Sequence, residues 1–187
     1  MIRLPDNITP SPATIDQLKK YQDEIDRLPT FAEKTDKARS LFANTNRTNN
    51  KTFAEVKAKL TAMCAGARRC AYCEDSVADE IEHIHPKNLY PEMCFCWENY
   101  VYACGSCNVP KNDKFAVFRA DNGVFQLVNP HQGQKAVAPP AGSDVLINPR
   151  IEDPLIFCML DLTTTFQFVV LADEGTPEHK RASYTYN

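Results

Sequence analysis

The chain has 187 residues, of which 43% are hydrophobic and 24% are charged. This balance is typical of one globular domain, or of a small core with an appendage, and excludes an intrinsically disordered chain. No run of 18 apolar residues occurs and the chain does not open with a basic, apolar leader, which argues against the transmembrane and secretory classes. We therefore expect a cytoplasmic protein whose eight cysteines are metal ligands or free thiols rather than disulfides.

The net charge of −3 is unevenly spread along the chain. Residues 1–63 carry 11 Lys/Arg and 8 Asp/Glu, a balance of +3, whereas residues 64–119 carry 6 and 8, and residues 120–187 carry 4 and 8. A protein that grips nucleic acid unaided normally has a basic face. Either the fold gathers the few bases into one patch, or metal ions and a partner supply the affinity for an anionic substrate. The second explanation is the one we favour.

Three amphipathic helices are predicted at the start of the chain. Ser11 is a suitable N-cap for the first, and capping-box sequences at Thr30–Glu33 and Thr52–Glu55 are expected to open the second and the third. We interpret residues 1–66 as a helical docking region.

Residues 67–119 contain most of the chemically informative side chains. Residues 81–84 alternate as a strand does, and Pro86 ends it. Residues 97–103 fit a short strand or the start of a helix, and a further helix is predicted over 108–115.

Residues 120–187 are predicted to be a C-terminal extension of loops and strands. A polar, proline-rich stretch at 129–143 is typical of a loop, and residues 144–149 and 166–171 are predicted strands. The last residues carry no helix or strand stop signal, so we expect the chain to continue further or this end to dock on another chain. The two histidines of this extension, His131 and His179, are expected to be exposed and without a role.

Two Cys-x-x-Cys pairs, Cys70/Cys73 and Cys104/Cys107, predict a structural zinc site. Four thiolates close the coordination shell, so this zinc would not be catalytic, and it would replace the large core that so short a segment lacks. Cys94 and Cys96 are a weaker alternative for the second pair, because one intervening residue is a less usual chelating spacing.

An acid–histidine pair, Glu82-His83, lies between the two cysteine pairs. A histidine of near-neutral pKa suits a general base that takes a proton from a water attacking phosphorus. Glu82 offers a hard oxygen ligand for Mg²⁺ or another divalent cation, which would neutralise charge on the transition-state phosphate. Neighbouring strand residues point to opposite faces, so we expect a distorted strand end before Pro86 that lets both side chains face one phosphate.

Two asparagines complete the predicted site. Asn99 is expected to bond backbone groups across the loop and hold the two halves of the segment in register. Asn108, directly after Cys107, is either an N-cap or, as we favour, a neutral metal ligand opposite Glu82.

Three further side chains are candidates for substrate contact. Lys111 and Lys114 lie near one face of the predicted last helix, where they either bind phosphate or form a solvated surface. His85 is open between a phosphate contact, a spare metal ligand and a polar loop residue.

Together these residues resemble the HNH (ββα-metal) nuclease superfamily. The family pattern of an acid–histidine pair, a central asparagine and a final histidine or asparagine in a helix, often braced by two Cys-x-x-Cys pairs, maps here onto Glu82-His83, Asn99 and Asn108. Glu82 replaces the commoner aspartate, which keeps the carboxylate but moves it by one methylene.

A finer resemblance is to the HNH subunit of Septu-type anti-phage systems, the PtuB-like proteins, which also occur beside some retrons. It is carried by Glu-His-x-x-Pro-Lys at 82–87, by Trp-x-Asn and Ala-Cys-x-x-Cys-Asn-x-x-Lys at 97–111, and by Leu-Ile-Asn-Pro-Arg-x-Glu-Asp-Pro at 146–154. The residue at the position of His85 is not usually histidine in that family, so no role for His85 carries over.

The resemblance implies an α+β protein in which N-terminal helices (1–66) precede a zinc-braced ββα-metal finger (67–119) and a small strand-containing extension (120–187). It implies an endonuclease with a structural Zn²⁺ and a catalytic Mg²⁺ or similar cation. It also implies an ABC/SMC-like ATPase (PtuA-like) as partner, and in some systems a retron reverse transcriptase with its multicopy single-stranded DNA. Two rivals remain: a zinc-finger adaptor that binds without cutting, and a stand-alone restriction-type HNH enzyme, which would need a basic DNA-binding domain.

Overall fold

The computed structural model describes residues 1–128 and 137–186, which form a mixed α+β fold. His131 and much of the predicted 129–143 loop lie outside the described residues. The helices are α1 (Pro12–Asp26), α2 (Phe31–Thr45), α3 (Lys51–Met63), α4 (Gly105–Lys111) and α5 (Pro177–Tyr186). The strands are β1 (Glu80–His83), β2 (Tyr100–Ala103), β3 (Ala116–Arg119), β4 (Phe125–Leu127), β5 (Gly142–Asp144), β6 (Cys158–Leu160) and β7 (Phe168–Val170). Among these helices, none is both long and apolar enough to cross a membrane.

The caps of the first two helices are confirmed. Ser11 precedes α1, and its hydroxyl accepts a hydrogen bond from the backbone N–H of Thr14. Thr30 and Glu33 form the complete capping box, in which each side chain bonds the backbone of the other residue. These contacts span three residues, so the local sequence suffices to predict them.

The predicted capping box at Thr52–Glu55 is wrong. Helix α3 begins at Lys51, and the side chain of Asn50 caps it by accepting from the N–H groups of Thr52 and Phe53. The Glu55 carboxylate instead accepts from the backbone N–H of Ser11 and from other donors at the start of α1. Glu55 therefore ties α3 to α1 and takes no part in capping its own helix.

Strands β1 and β2 pair antiparallel, with Glu82 opposite Val101 and His83 opposite Tyr100. A turn of 3-10 helix at Trp97–Asn99 leads into β2, so the 97–103 segment combines both predicted alternatives. Helix α4 follows β2 directly and lies against β1.

The predicted helix 108–115 is displaced toward the N-terminus. Helix α4 begins at Gly105 with Cys104 as its N-cap residue, so Asn108 lies within the helix. The N-cap alternative for Asn108 is therefore wrong.

The C-terminal extension contains two further small sheets, β4-β3-β5 and the hairpin β6-β7. The strand predicted at 144–149 is displaced to β5, because Gly142 allows a close approach to β3: a Cβ atom at Gly142 would lie 2.3 Å from the carbonyl oxygen of Phe118. The strand predicted at 166–171 forms as the shorter β7.

One hydrophobic core joins the N-terminal helices to the cysteine-rich segment. Leu18 of α1, Phe42 of α2 and Leu60 of α3 belong to the same buried cluster as Trp97 and Val101. Apolar burial of this extent is the main favourable term in folding. The helices therefore stabilise β1 and β2 directly.

Candidate functional site

The four cysteines of the two Cys-x-x-Cys pairs converge, and their sulfur atoms all lie within 4.8 Å of one another. The Sγ atoms of Cys73 and Cys104 are 4.0 Å apart. Sulfurs at the corners of a tetrahedron around Zn²⁺ are separated by about 3.8 Å, given a Zn–S bond of about 2.3 Å. The cluster is therefore suited to bind a metal ion such as zinc.

The backbone around the cluster also favours a metal thiolate. The backbone N–H of Tyr72 points at the sulfur of Cys70, and that of Ser76 points at the sulfur of Cys73. Burial alone would raise the pKa of Cys73, but hydrogen-bond donors outweigh it and lower that pKa to about 7. Burial raises the pKa of Cys70 and of Cys107, so these thiols need a cation to lose their protons at neutral pH.

Cys94 and Cys96 lie outside this cluster. The sulfur of Cys94 is buried and lies 3.6 Å from the carbonyl oxygen of Ala38, and that of Cys96 lies 3.2 Å from Glu98. The cluster thus uses the Cys104/Cys107 pair, and the Cys94/Cys96 alternative is wrong.

A cleft of about 550 Å³ opens between β1, α4 and the helical region. Its floor is the end of β1, where Glu82 and His83 both contribute to the lining. Asn108 of α4 lines the cleft too, and the charged side chains of the lining are Lys57 and Lys87 together with Asp79, Glu80, Glu82 and Asp113. The structure thus brings three of the predicted site residues to one cavity.

The ring of His83 is held in place by a hydrogen bond from one of its two nitrogens. Its Nε2 lies 2.9 Å from the carbonyl oxygen of Cys94, which also accepts a hydrogen bond from the Tyr100 hydroxyl. A carbonyl can only accept, so the proton of the neutral ring lies on Nε2 and Nδ1 carries the lone pair. The ring packs edge-on against Phe42 and Tyr100.

The surroundings of His83 keep it uncharged. Burial, with help from the positive charge of Lys87, lowers its pKa to about 3. The imidazole is therefore neutral at physiological pH, the form in which Nδ1 can accept a proton. A pKa this low differs from the near-neutral value expected of a general base, and burial of the ring is the main reason.

Glu82 is paired with Lys111, a contact the sequence did not predict. The Lys111 ammonium donates to the Glu82 carboxylate and, at 2.8 Å, to the carbonyl oxygen of His83. Both side chains are largely buried. Burial raises the pKa of Glu82 and lowers that of Lys111, while their mutual attraction opposes both shifts.

Asn108 is bonded to Glu80 rather than to Glu82. Its Nδ2 donates to the Glu80 carboxylate at 2.6 Å. Glu80 and Glu82 lie two residues apart on the same face of β1, so α4 meets both carboxylates, with Asn108 on one and Lys111 on the other.

Asn99 is buried and braces the loop between β1 and β2. Its Nδ2 donates to the carbonyl oxygens of His85 and Met93, both at 3.0 Å, and its Oδ1 accepts from the N–H of His85 at 2.7 Å. The backbone N–H of Ile84 also donates to the Asn99 carbonyl. The residue acts on the loop that follows His83 and does not line the cleft.

Replacing Asn99 by alanine should destabilise the protein by about 2–4 kcal/mol, because buried backbone groups lose their partners. Chemical denaturation monitored by circular dichroism measures this. Asn122→Ala is the matched control, since Asn122 makes one hydrogen bond in an exposed turn and should cost under about 1 kcal/mol. Equal losses in the two variants would contradict the bracing role.

Two of the predicted substrate residues lie away from the cleft. His85 bonds Asp144 of β5 at 2.8 Å and packs between Tyr90 and Phe115. Lys114 is exposed beyond the end of α4 and is not part of the cleft lining. Lys111 reaches the site but faces Glu82 instead of solvent.

Glu80, Phe42 and Lys87 are site residues that the sequence interpretation missed. Glu80 could have been found from strand alternation, since it precedes Glu82 by two residues. Phe42 approaches the cleft from a helix, and no local pattern marks it. Lys87 is the lysine of the Glu-His-x-x-Pro-Lys motif, but no site role was predicted for it.

Comparison with known proteins gives a distant relative. The chain is 31% identical over 67 residues to the Septu protein PtuB of Bacillus thuringiensis. The match covers 33% of this chain and 26% of that protein, so the chain spans about a quarter of the relative's length in this comparison. No protein-family model matches the chain, and no solved structure matches it either.

Proposed function

We propose that the chain is a metal-dependent endonuclease of the HNH type that hydrolyses nucleic-acid phosphodiester bonds. The observation that carries this proposal is the convergence of Glu82, His83 and Asn108 on one cleft beside a four-cysteine cluster. The order β1, β2, α4 agrees with a ββα-metal finger, with one cysteine pair before β1 and the other at the start of α4.

The proposed reaction assigns one proton transfer to His83. Nδ1 takes a proton from a water molecule as its oxygen attacks phosphorus, while the Cys94 carbonyl holds the ring through Nε2–H. The buried ring is thereby fixed in one tautomer and orientation before substrate arrives.

The cleft also offers the donor set of a hard divalent cation. Glu82 and the Asn108 amide oxygen would hold the ion, with Glu80 fixing the amide through its Nδ2. The ion, when bound, supplies charge stabilisation at the phosphate and at the leaving oxygen. Lys57 and Lys87 would contact an anionic substrate backbone, and bound cations would have to offset the four carboxylates that also line the cleft.

We further propose that the protein serves as the effector of a Septu-type complex with an ABC/SMC-like ATPase. The similarity to PtuB and the acidic net charge support this, since a nuclease poor in basic residues gains from a partner that holds the substrate. The relative's name gives a Septu context and no retron, so a reverse transcriptase is not included in the proposal.

The second candidate function is an adaptor in which the metal cluster folds a binding module that does not cut. The four cysteines alone would fit it equally well. The neutral His83 is held in one orientation beside Glu82 and lines the cleft. This favours the nuclease, because an adaptor has no use for a proton acceptor at that place.

The distinguishing experiment is incubation of plasmid DNA and RNA with the zinc-loaded chain and Mg²⁺ or Mn²⁺, with and without the ATPase subunit. The nuclease proposal expects cleavage that EDTA abolishes. Binding to the ATPase or to nucleic acid with no cleavage in any combination would favour the adaptor.

Lys111→Met should make the melting temperature of the protein depend more strongly on divalent cations. The variant leaves the Glu82 carboxylate buried without its partner, which costs about 3–5 kcal/mol until a cation takes the place of the ammonium. We expect a lower melting temperature without cation and a larger rise on adding Mn²⁺ than in the wild type. Lys114→Met is the control, since Lys114 is exposed, and equal Mn²⁺ shifts in both variants would exclude Glu82 as a cation ligand.

A further inference from the structure

Exposed apolar side chains are concentrated in residues 151–171, on and around the β6–β7 hairpin. The exposed fraction is 65% for Leu162 and 70% for Phe166, both near the hairpin tip. Before residue 75, by contrast, Ile15 is the single large apolar side chain among the described residues that is exposed, at 37%. The sequence predicted that the N-terminal helical region is the docking surface, but this region exposes little apolar area.

One face of the hairpin is covered and the other is open. Cys158 and Val170 form the directly opposed pair that faces the molecule, where Val170 packs near α5 and Phe157. Met159 and Val169 form the next pair and point the other way, toward solvent, with Leu171 on the same face. An open apolar sheet face of this kind marks an interaction site more often than it marks a monomer surface.

The hairpin tip is pre-ordered. The Asp161 carboxylate accepts from the backbone N–H groups of Thr163, Thr164 and Thr165, which fixes the turn between the strands. Phe166 closes that turn with a φ of +55°, a conformation unfavourable for a bulky aromatic residue. Since Phe166 is exposed, the fold of the chain alone gives no compensating burial for holding it there.

Charge restricts what can cover this face. Residues 151–178 contain six Asp/Glu, including Asp161, Asp173 and Glu174, and no Lys or Arg. Of these six, Glu152 is neutralised by its ion pair with Arg181 of α5. A second copy related by two-fold symmetry would bring acid against acid, and nucleic acid or an anionic membrane would be repelled. A protein surface that is apolar at its centre and rimmed with Lys or Arg is complementary to it.

We propose that the β6–β7 hairpin is a docking element for a different protein with an apolar, basic-rimmed surface, and that Phe166 and Leu162 are its anchors. Rigid aromatic side chains held in their bound geometry contribute most to interface affinity, because little conformational entropy is lost on binding. None of these residues lines the Glu82–His83 cleft, so the inference stands independently of the proposed nuclease activity.

Photo-crosslinking in the host cell provides the first step of the test. Leu162→p-benzoylphenylalanine should give an adduct with one protein, identified by mass spectrometry, whereas the same residue at Val124, an exposed position in the β3–β4 turn, should not. An adduct with a second copy, with nucleic acid, or with nothing beyond the control would overturn the proposal.

The second step measures the affinity of the captured protein, purified, for Phe166→Gly. Glycine adopts positive φ without strain, so the variant should melt at or above the wild-type temperature and yet bind on the order of tenfold or more weakly. Affinity should also fall with added salt and with Asp173→Lys. The control Leu127→Ala removes a comparably exposed side chain from β4 and should bind as the wild type does. Unchanged affinity in Phe166→Gly would overturn the proposal even if a partner had been captured.

Discussion

Replacing His83 by alanine should reduce nucleic-acid cleavage by about 10²–10⁴-fold. The variant loses the Nδ1 acceptor that takes the proton from water, and no other group in the cleft offers a neutral base held at the same place. Single-turnover cleavage with saturating Mn²⁺ is the appropriate measurement, because it reports the chemical step and not product release.

The structure provides a matched control for this variant in the neighbouring histidine. His85→Ala removes an imidazole two residues away, one that bonds Asp144 and lies outside the cleft, so its cleavage rate should stay within about tenfold of the wild type. Zinc content and melting temperature should be measured for both variants, so that a folding defect is separated from a catalytic one. If His83→Ala cuts at the wild-type rate and His85→Ala does not, the base is His85 and the proposed geometry is wrong.

Loss of the metal from the four-cysteine cluster should destabilise the protein by at least about 5 kcal/mol. Structural zinc in small fingers contributes about 10–16 kcal/mol of binding free energy. Part of the fold should persist here, because β1 and β2 also pack on α2 and α3. Without the ion, thiolates crowded within 4.8 Å repel one another or must take up protons.

Cys107→Ser tests this directly against Cys96→Ser, whose sulfur contacts Glu98 and lies outside the cluster. We expect Cys107→Ser to lack stoichiometric zinc and to melt well below the wild type, and Cys96→Ser to keep one zinc per chain. Metal content by atomic emission and thermal unfolding give both readouts. A Cys107→Ser protein with full zinc and unchanged melting temperature would exclude the cluster as a structural metal site.

Local signals predicted the parts of the fold that depend on residues close in sequence. The Ser11 cap and the Thr30–Glu33 box connect residues three apart, and each Cys-x-x-Cys pair is a short chelating loop. The box expected at Thr52–Glu55 failed because Glu55 finds better donors 41 and 44 residues earlier in α1. Contacts that the tertiary fold creates are not visible in such patterns.

The same distinction holds in the candidate site. Glu82 and His83 could be selected because an acid next to a histidine, between two metal-ligand pairs, has a clear chemical use. Their partners could not, since Lys111 is 29 residues from Glu82 and the carbonyl that orients His83 belongs to Cys94. Asp144, the partner of His85, is farther still along the chain. The orientation of His85 away from the cleft therefore follows only from the three-dimensional structure.

The most direct test of the proposed activity compares wild-type protein with Glu82→Gln in a plasmid and RNA cleavage assay, with zinc loaded, Mn²⁺ present, and the ATPase subunit added. Glu92→Gln serves as the control, because Glu92 is an exposed carboxylate that does not line the cleft. We expect Mn²⁺-dependent cleavage by the wild type and by Glu92→Gln, and its loss in Glu82→Gln by about 10²-fold or more. Absence of cleavage by the wild type under every condition, or full cleavage by Glu82→Gln, would contradict a metal-dependent nuclease at this cleft.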